Sequence, residues 1–325
     1  MKIVIPGGTG SLGRLLTESD LFKEHDLVVL SRGGRQSSQV RMVPWDGQTL
    51  GEWAREVDGA DVVINLSGQS VKCLYTDKNL KILKNSRVKS TQVIGQAIRQ
   101  AKKPPPLWIQ MSSAAIYKHC FDAPNDEEKG HIGESPDIPV VWKNIVKLVQ
   151  DWEEALYSSQ TDHTRKIAIR SGVVMDLIPG GAFDIFLKLS RFGLGGAIAG
   201  GKQMVSWVHK SDFTNAIHFL IQNDTIKGPV NMCSPHPISQ GEFMKILRET
   251  AGVKWGLPAT KWMIELSSYF IGIDSELSLK SRYAIPKVLM DHQYSFLFPE
   301  WSSAAKDLYA QWKVKKDNNS PTKNT

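Results

Sequence analysis

Residues 6–13 read Pro6-Gly7-Gly8-Thr9-Gly10-Ser11-Leu12-Gly13, a GxxGxxG run from Gly7 that also contains GxGxxG from Gly8. Glycines at this spacing let a backbone turn sharply and pass close to a pyrophosphate. The helix behind them offers unpaired N–H groups and a positive dipole end to the anion. An apolar strand-like run, residues 2–5, precedes the glycines and a helical segment follows. The run therefore predicts a dinucleotide site contacted by Gly7, Thr9, Gly10, Ser11, Leu12 and Gly13. The alternative is a structural turn that binds nothing.

The choice of dinucleotide rests on the end of the second strand, residues 27–30. An acidic residue there would hold the ribose hydroxyls of NAD. Here the chain continues Ser31-Arg32-Gly33-Gly34-Arg35, with no carboxylate. Arg32 would pair with a 2′-phosphate, and Ser31 and Arg35 could add hydrogen bonds, so NADP is the expected cofactor. A solvated basic turn is the competing explanation. A later strand ends Asn65-Leu66-Ser67-Gly68, a small-residue loop where ligands bind in parallel sheets. Leu66, Ser67 and Gly68 are therefore candidates to flank the nicotinamide-side ribose.

These groups need a scaffold, and the hydrophobic pattern predicts one. Apolar runs at residues 2–5, 27–30, 62–66, 107–111 and 167–169 alternate with helical stretches at 78–101 and 142–157. In the second stretch Trp142, Ile145, Val146, Val149, Trp152, Ala155 and Leu156 recur at one-face spacing. Strands alternating with helices imply right-handed crossovers and a parallel sheet covered on both faces. The expected fold is α/β, a Rossmann-type doubly wound parallel sheet with a smaller C-terminal substrate lobe. Residues 1–230 would form the NADP-binding domain, 231–312 the second lobe, and 313–325 a disordered basic tail.

Composition narrows the partners. The chain has 325 residues, 41% hydrophobic and 22% charged, with a net charge of +7. Four Lys against one Asp in residues 313–325 account for +3 of that excess. A small phosphorylated ligand suffices for the rest, so no nucleic acid partner is expected. Cys73, Cys120 and Cys233 form no CxxC, and no His cluster has metal spacing, so neither a disulfide framework nor a metal site is expected. No apolar run reaches membrane-spanning length. The first strand begins at once, which points to a reducing, cytoplasmic setting without a leader and without a membrane. Either a monomer or a homodimer is compatible with the sequence.

Taken in order, the chain's motifs resemble the extended short-chain dehydrogenase/reductases, and within them the atypical epimerase-like subfamily whose C-terminal domain has no assigned function. The marks are the GGTGSLG loop, Ser31-Arg32, Asp61 through Gly68, Ser86-Arg87-Val88-Lys89-Ser90-Thr91, Asp151-Trp152-Glu153 and Arg170-Ser171-Gly172. Further marks are Gly193-Leu194-Gly195-Gly196, Trp207-Val208-His209 with Asp212, and Gly228-Pro229-Val230-Asn231. The resemblance covers about residues 1–308 and implies NADP binding and a substrate cleft between the lobes.

It also implies chemistry. Catalytic members polarise the substrate oxygen with a Ser on the fifth strand and pass the proton through a YxxxK pair on the next helix. The segment Met111-Ser112-Ser113-Ala114-Ala115-Ile116-Tyr117 looks like the family's SSxxxY, which makes Ser113 the catalytic candidate and places Ser112 beside the cofactor. The Tyr and Lys positions fall near Ile145 and Val149, which cannot transfer a proton. Arg87 stands where a supporting Asn is usual. Tyr117 or Arg87 is left as substitute acid or electrostatic stabiliser, Tyr117 being the weaker since its counterpart is usually structural. His209 and Asp212 are expected to hold structure. Two functions follow: an NADP-dependent oxidoreductase or epimerase acting on a carbonyl, hydroxyl or nucleotide-sugar substrate, or a non-catalytic NADP-binding sensor or scaffold.

Overall fold

The apolar runs become strands because Val, Ile and Leu suit a pleated surface buried on both faces. The computed structural model describes residues 1–33 and 40–318. In chain order the main elements are β1 (Lys2–Pro6), α1 (Ser11–Thr17), β2 (Asp26–Ser31), β3 (Arg41–Pro44), β4 (Val62–Asn65) and α2 (Asp77–Gln100). They continue with β5 (Leu107–Ser113), α3 (Val140–Tyr157), β6 (Arg165–Ser171), β7 (Val173–Met175), α4 (Ala182–Arg191), β8 (Met204–Val205) and β9 (Trp207–His209). The remainder is α5 (Lys210–Gln222), β10 (Gly228–Met232), β11 (Ile238–Ser239), α6 (Gln240–Thr250), α7 (Lys261–Ile271), α8 (Glu276–Leu279), α9 (Lys287–Asp291) and α10 (Trp301–Asn318).

Seven strands pair in parallel in the order β10-β6-β5-β4-β1-β2-β3. The order reverses between β1 and β4, and in such sheets the ligand crevice opens outside the carboxyl ends at that reversal. Alternate residues serve opposite faces. Ile3, Ile5, Val29, Ile64 and Ile109 pack on one side with Leu16 of α1 and Phe213 and Ile217 of α5. Val4, Val28, Val63 and Trp108 pack on the other with Val93, Ile94 and Ile98 of α2. The doubly wound α/β fold expected from the sequence is the one observed.

The lobe boundary differs from the expected single cut at residue 230. Met175, Phe183 and Leu187 share a core with Phe243, Leu247, Trp301 and Leu308, and β8 pairs antiparallel with β11. Within residues 173–209, Met175, Phe183, Leu187 and Trp207 thus join the second lobe's core, Val174 and Val208 pack on the main core, and α5 and β10 return to the main sheet. Gly-rich punctuation after β6 announces a change of structure but not which core the segment enters. The tail needs correction too. α10 runs on to Asn318, since Leu308, Tyr309 and Trp312 carry the packed face to its last turns.

Candidate functional site

The glycine loop sits at the β1/β4 reversal. Gly7 has φ +76°, and a side-chain carbon built on it would lie 2.8 Å from the backbone N and Cα of Ser67. A carbon on Gly13 would meet the Gly8 carbonyl at 2.2 Å. Glycine is therefore required for the loop to close on β4 and for α1 to start where it does. Thr9, Gly10 and Ser11 are exposed, Leu12 is half-buried, and among the described residues no side chain caps the start of α1. Its first amides stay available to an oxyanion.

Across the crevice, the buried Asn65 side chain accepts the Ser67 amide at 3.0 Å and donates to Gln110 at 2.9 Å. This fixes the Leu66-Ser67-Gly68 loop. The Ser67 hydroxyl is buried and has no partner among the described residues, a cost that a ligand oxygen would relieve. At the end of β2, Ser31 folds its hydroxyl onto Gly33, accepting its N–H at 3.2 Å and donating to its carbonyl at 2.9 Å. Ser31 thereby shapes the turn that presents Arg32. Arg32 is exposed and has no carboxylate partner among the described residues. Arg35 lies outside them.

The two serines of β5 part company, as neighbours in a strand must. Ser112 points inward, its hydroxyl donating to Glu153 at 2.6 Å. Ser113 is half-buried at the strand's carboxyl end, where its oxygen accepts the Ala115 amide at 3.1 Å. The Ser113 proton has no acceptor among the described residues. The Ser113 hydroxyl lies at the carboxyl end of the strand on the side opposite Ser112, whereas the Ser112 hydroxyl, expected beside a cofactor, belongs to the interior.

Glu153 anchors a buried chain. It takes Arg170 in a bidentate pair, Nε at 2.9 Å and Nη2 at 2.8 Å. Arg170 Nη1 donates to the Tyr117 hydroxyl at 2.9 Å, and Tyr117 donates to Asn231 Oδ1 at 2.9 Å. Burial pushes the Tyr117 phenol up to about 12 against the pull of Arg170. With 2% of its surface exposed and both ends of its hydroxyl engaged, Tyr117 ties β6 to β10. Its geometry is that of a structural brace, not of an acid facing a substrate.

Arg87 lies beneath the loop after β4. It donates to Leu83 O at 3.1 Å and Gln69 O at 3.0 Å, with its guanidinium 5.1 Å from the Trp152 ring. A carbon on Gly68 would approach that guanidinium at 3.2 Å. Burial lowers its pKa to about 10, so it remains a cation at neutral pH. Arg87 holds Gly68 in place and faces no carboxylate among the described residues. Ile145 and Val149, at the expected Tyr and Lys positions, pack with Ala114, Ala115 and Ile116. Hydrocarbon fills the space a proton relay would occupy.

Sequence reasoning missed how these motifs join. Thr91 donates to Gln110 at 3.3 Å and receives Trp152 Nε1 at 3.2 Å, linking the stretches around Asn65, Ser90 and Trp152. Their occurrence in the chain was the available signal; their contact was not. His209 and Asp212 are structural, as expected. Asp212 receives the Leu297 and Phe298 amides at 2.7 and 2.9 Å, and His209 faces Asp307 at 3.1 Å. No group of three or more His, Cys, Asp or Glu poised for a metal occurs among the described residues.

A family model described as NAD dependent epimerase/dehydratase matches residues 3–137. Epimerase family protein YfhF of Bacillus subtilis is 28% identical over 97% of this chain and 100% of its own length. Epimerase family protein SDR39U1 of Homo sapiens is 26% identical over 95% and 100%. The crystal structure of human SDR39U1 (isoform 2) with NADPH superposes with a TM-score of 0.82 at 26% identity, covering 95% of this chain and 99% of that one. UDP-N-acetylglucosamine 4-epimerase from Bacillus cereus, at 14% identity and a TM-score of 0.71, shares the fold. Glycine loop, parallel sheet and full-length relatives agree: the chain is extended short-chain dehydrogenase/reductase-like and is similar over nearly its whole length to epimerase family proteins, the epimerase/dehydratase model matching its first part.

Proposed function

We propose that this chain binds NADP(H) across the carboxyl ends of β1, β2 and β4 and catalyses a slow oxidoreduction or epimerisation at a carbonyl or carbinol carbon. The residues present fit the cofactor. The exposed Gly10-Ser11 start of α1 would take the diphosphate, the buried Ser67 hydroxyl a ribose oxygen, and Arg32 the 2′-phosphate. The human relative's NADPH supports the same choice.

The observation that carries the catalytic reading is Ser113. Its oxygen is held by the Ala115 amide, which leaves its proton free to donate to a substrate oxygen at the carboxyl end of β5. When bound, the nicotinamide supplies or accepts the hydride. Ser113 orients and polarises the reacting C–O group, and Arg87 adds positive potential from beneath Gly68 without donating a proton. Solvent is the remaining proton source, and loss of a positioned acid costs roughly 10²–10⁴ in rate.

The apolar Ile145 and Val149 favour a second reading, a sensor that binds NADP(H) without turnover. Purified protein with NADPH and a panel of aldehydes, ketones and nucleotide sugars separates the two by loss of nicotinamide absorbance. Turnover that Ser113→Ala abolishes, with NADPH affinity unchanged, is the expected result. No turnover with any substrate, and no effect of Ser113→Ala on any measured property, refutes catalysis. Arg32→Ala should weaken NADPH binding about tenfold or more and leave NADH almost untouched; equal effects refute the phosphate assignment.

A further inference from the structure

Helix α7 turns its apolar side outward. At 100° per residue Trp262, Met263, Leu266, Tyr269 and Phe270 fall within an arc of about 120°. Trp262, Tyr269 and Phe270 are 63%, 75% and 78% exposed. On the opposite side Ile264, Ser267 and Ser268 are half-buried, though Ile271 at the last turn is 67% exposed. A surface helix ordinarily does the reverse.

Both ends of α7 are tied down. Ala259 pairs with Ala197 and Ala199 through their backbones, at 3.0 and 2.7 Å. Beyond the helix, Asp274 donates its amide to Cys73 O at 3.1 Å and accepts the Tyr75 amide at 3.1 Å. The outward arc is thus held in place by the body of the protein.

The patch continues beside the helix. Phe192 and Trp255 are 77% and 62% exposed, and a carbon built on Gly193 would touch the Trp255 ring at 2.7 Å. Leu257 donates to Gly193 O at 2.8 Å, which brings this turn to the start of α7. Each leading aromatic follows an exposed cation: Arg191-Phe192, Lys254-Trp255 and Lys261-Trp262. The Arg191 guanidinium lies 4.8 Å from the Trp312 ring of α10, Lys261 lies 3.8 Å from Glu265, and Lys254 has no carboxylate partner among the described residues.

We infer that α7 with the Phe192 and Trp255 turns is a docking face for an anionic phospholipid surface. Trp and Tyr favour the headgroup boundary, Phe and Leu reach the acyl chains, and cations beside them meet lipid phosphates. A protein partner's apolar groove would satisfy the rings but gives no reason for exposed cations next to Trp255 and Trp262. The contact is peripheral: α7 has 11 residues, and no helix among the described residues is long and apolar enough to cross a membrane. The inference departs from the expectation of no membrane contact, which rested on the lack of a span.

Flotation of the full chain with phosphatidylcholine–phosphatidylglycerol vesicles tests the inference. Binding should weaken with salt and be far poorer on pure phosphatidylcholine. Trp262→Ser with Phe270→Ser should lower the partition coefficient by at least about tenfold. Lys254→Glu with Lys261→Glu should abolish the preference for anionic vesicles. Unchanged NADPH affinity in each variant certifies the fold and keeps this result separate from the cofactor reading. Failure to float with either vesicle overturns the inference. So does a dimer, seen by sedimentation equilibrium without lipid, that the Trp262 and Phe270 substitutions dissociate while vesicle binding is unaffected.

Discussion

Gly7 and Gly59 offer a controlled test of why the first loop is glycine. Both are left-handed, with φ of +76° and +72°, so an alanine at either pays the same backbone strain, about 1 kcal/mol. Their surroundings differ. A carbon at Gly59 meets nothing within 4 Å, whereas one at Gly7 comes within 2.8 Å of Ser67 N and Cα and 3.0 Å of Leu66 C. Those are backbone atoms and cannot rotate aside. The loop must move by several tenths of an ångström, adding about 1–3 kcal/mol of overpacking. Gly59→Ala should cost about 1 kcal/mol in urea denaturation and leave NADPH titration unchanged. Gly7→Ala should cost about 2–4 kcal/mol and weaken NADPH at least about tenfold, because the displaced segments carry the free α1 amides and the Ser67 hydroxyl. Equal destabilisation by the two variants would refute the close-approach argument. Normal NADPH affinity in a destabilised Gly7→Ala would show that the cofactor does not use this loop.

Glu153→Gln keeps the shape but leaves Arg170 buried without its counter-ion, so urea denaturation should report a loss of about 3–5 kcal/mol; a loss under about 1 kcal/mol would remove the chain from the fold's essentials. Glu127 accepts the Asn231 amide at 2.7 Å, and burial raises its pKa from 4.5 to about 7. Between those pH values the unfolded chain ionises Glu127 while the folded chain keeps it protonated. This contribution to stability is therefore complete below pH 4.5 and lost as pH rises through 7. Glu127→Gln should flatten the decline across that window by on the order of 2–3 kcal/mol, read from denaturation midpoints at several pH values. A parallel pH profile in the variant would place the titration elsewhere.

The sequence by itself determined whatever depends on neighbours along the chain. Glycine spacing after a five-residue strand, alternating apolar runs and the basic Ser31-Arg32 turn specified a doubly wound sheet with a dinucleotide crevice. The apolar Ile145 and Val149 were legible at the positions where the resemblance places a Tyr and a Lys, and a strand's period put the Ser112 and Ser113 hydroxyls on opposite sides. Only the tertiary structure decided pairings across the chain. Nothing local to Ser112 says its hydroxyl meets Glu153, nor that Tyr117 closes a link from Arg170 to Asn231. Phe183 and Leu187 joined the second lobe's core because they found their complement in α6 and α10. In α7, helical periodicity places Trp262, Leu266 and Tyr269 on one arc but cannot say whether that arc faces a core or the solvent. Periodicity is a property of local geometry; the direction a face takes is set by which distant surface offers it the better packing.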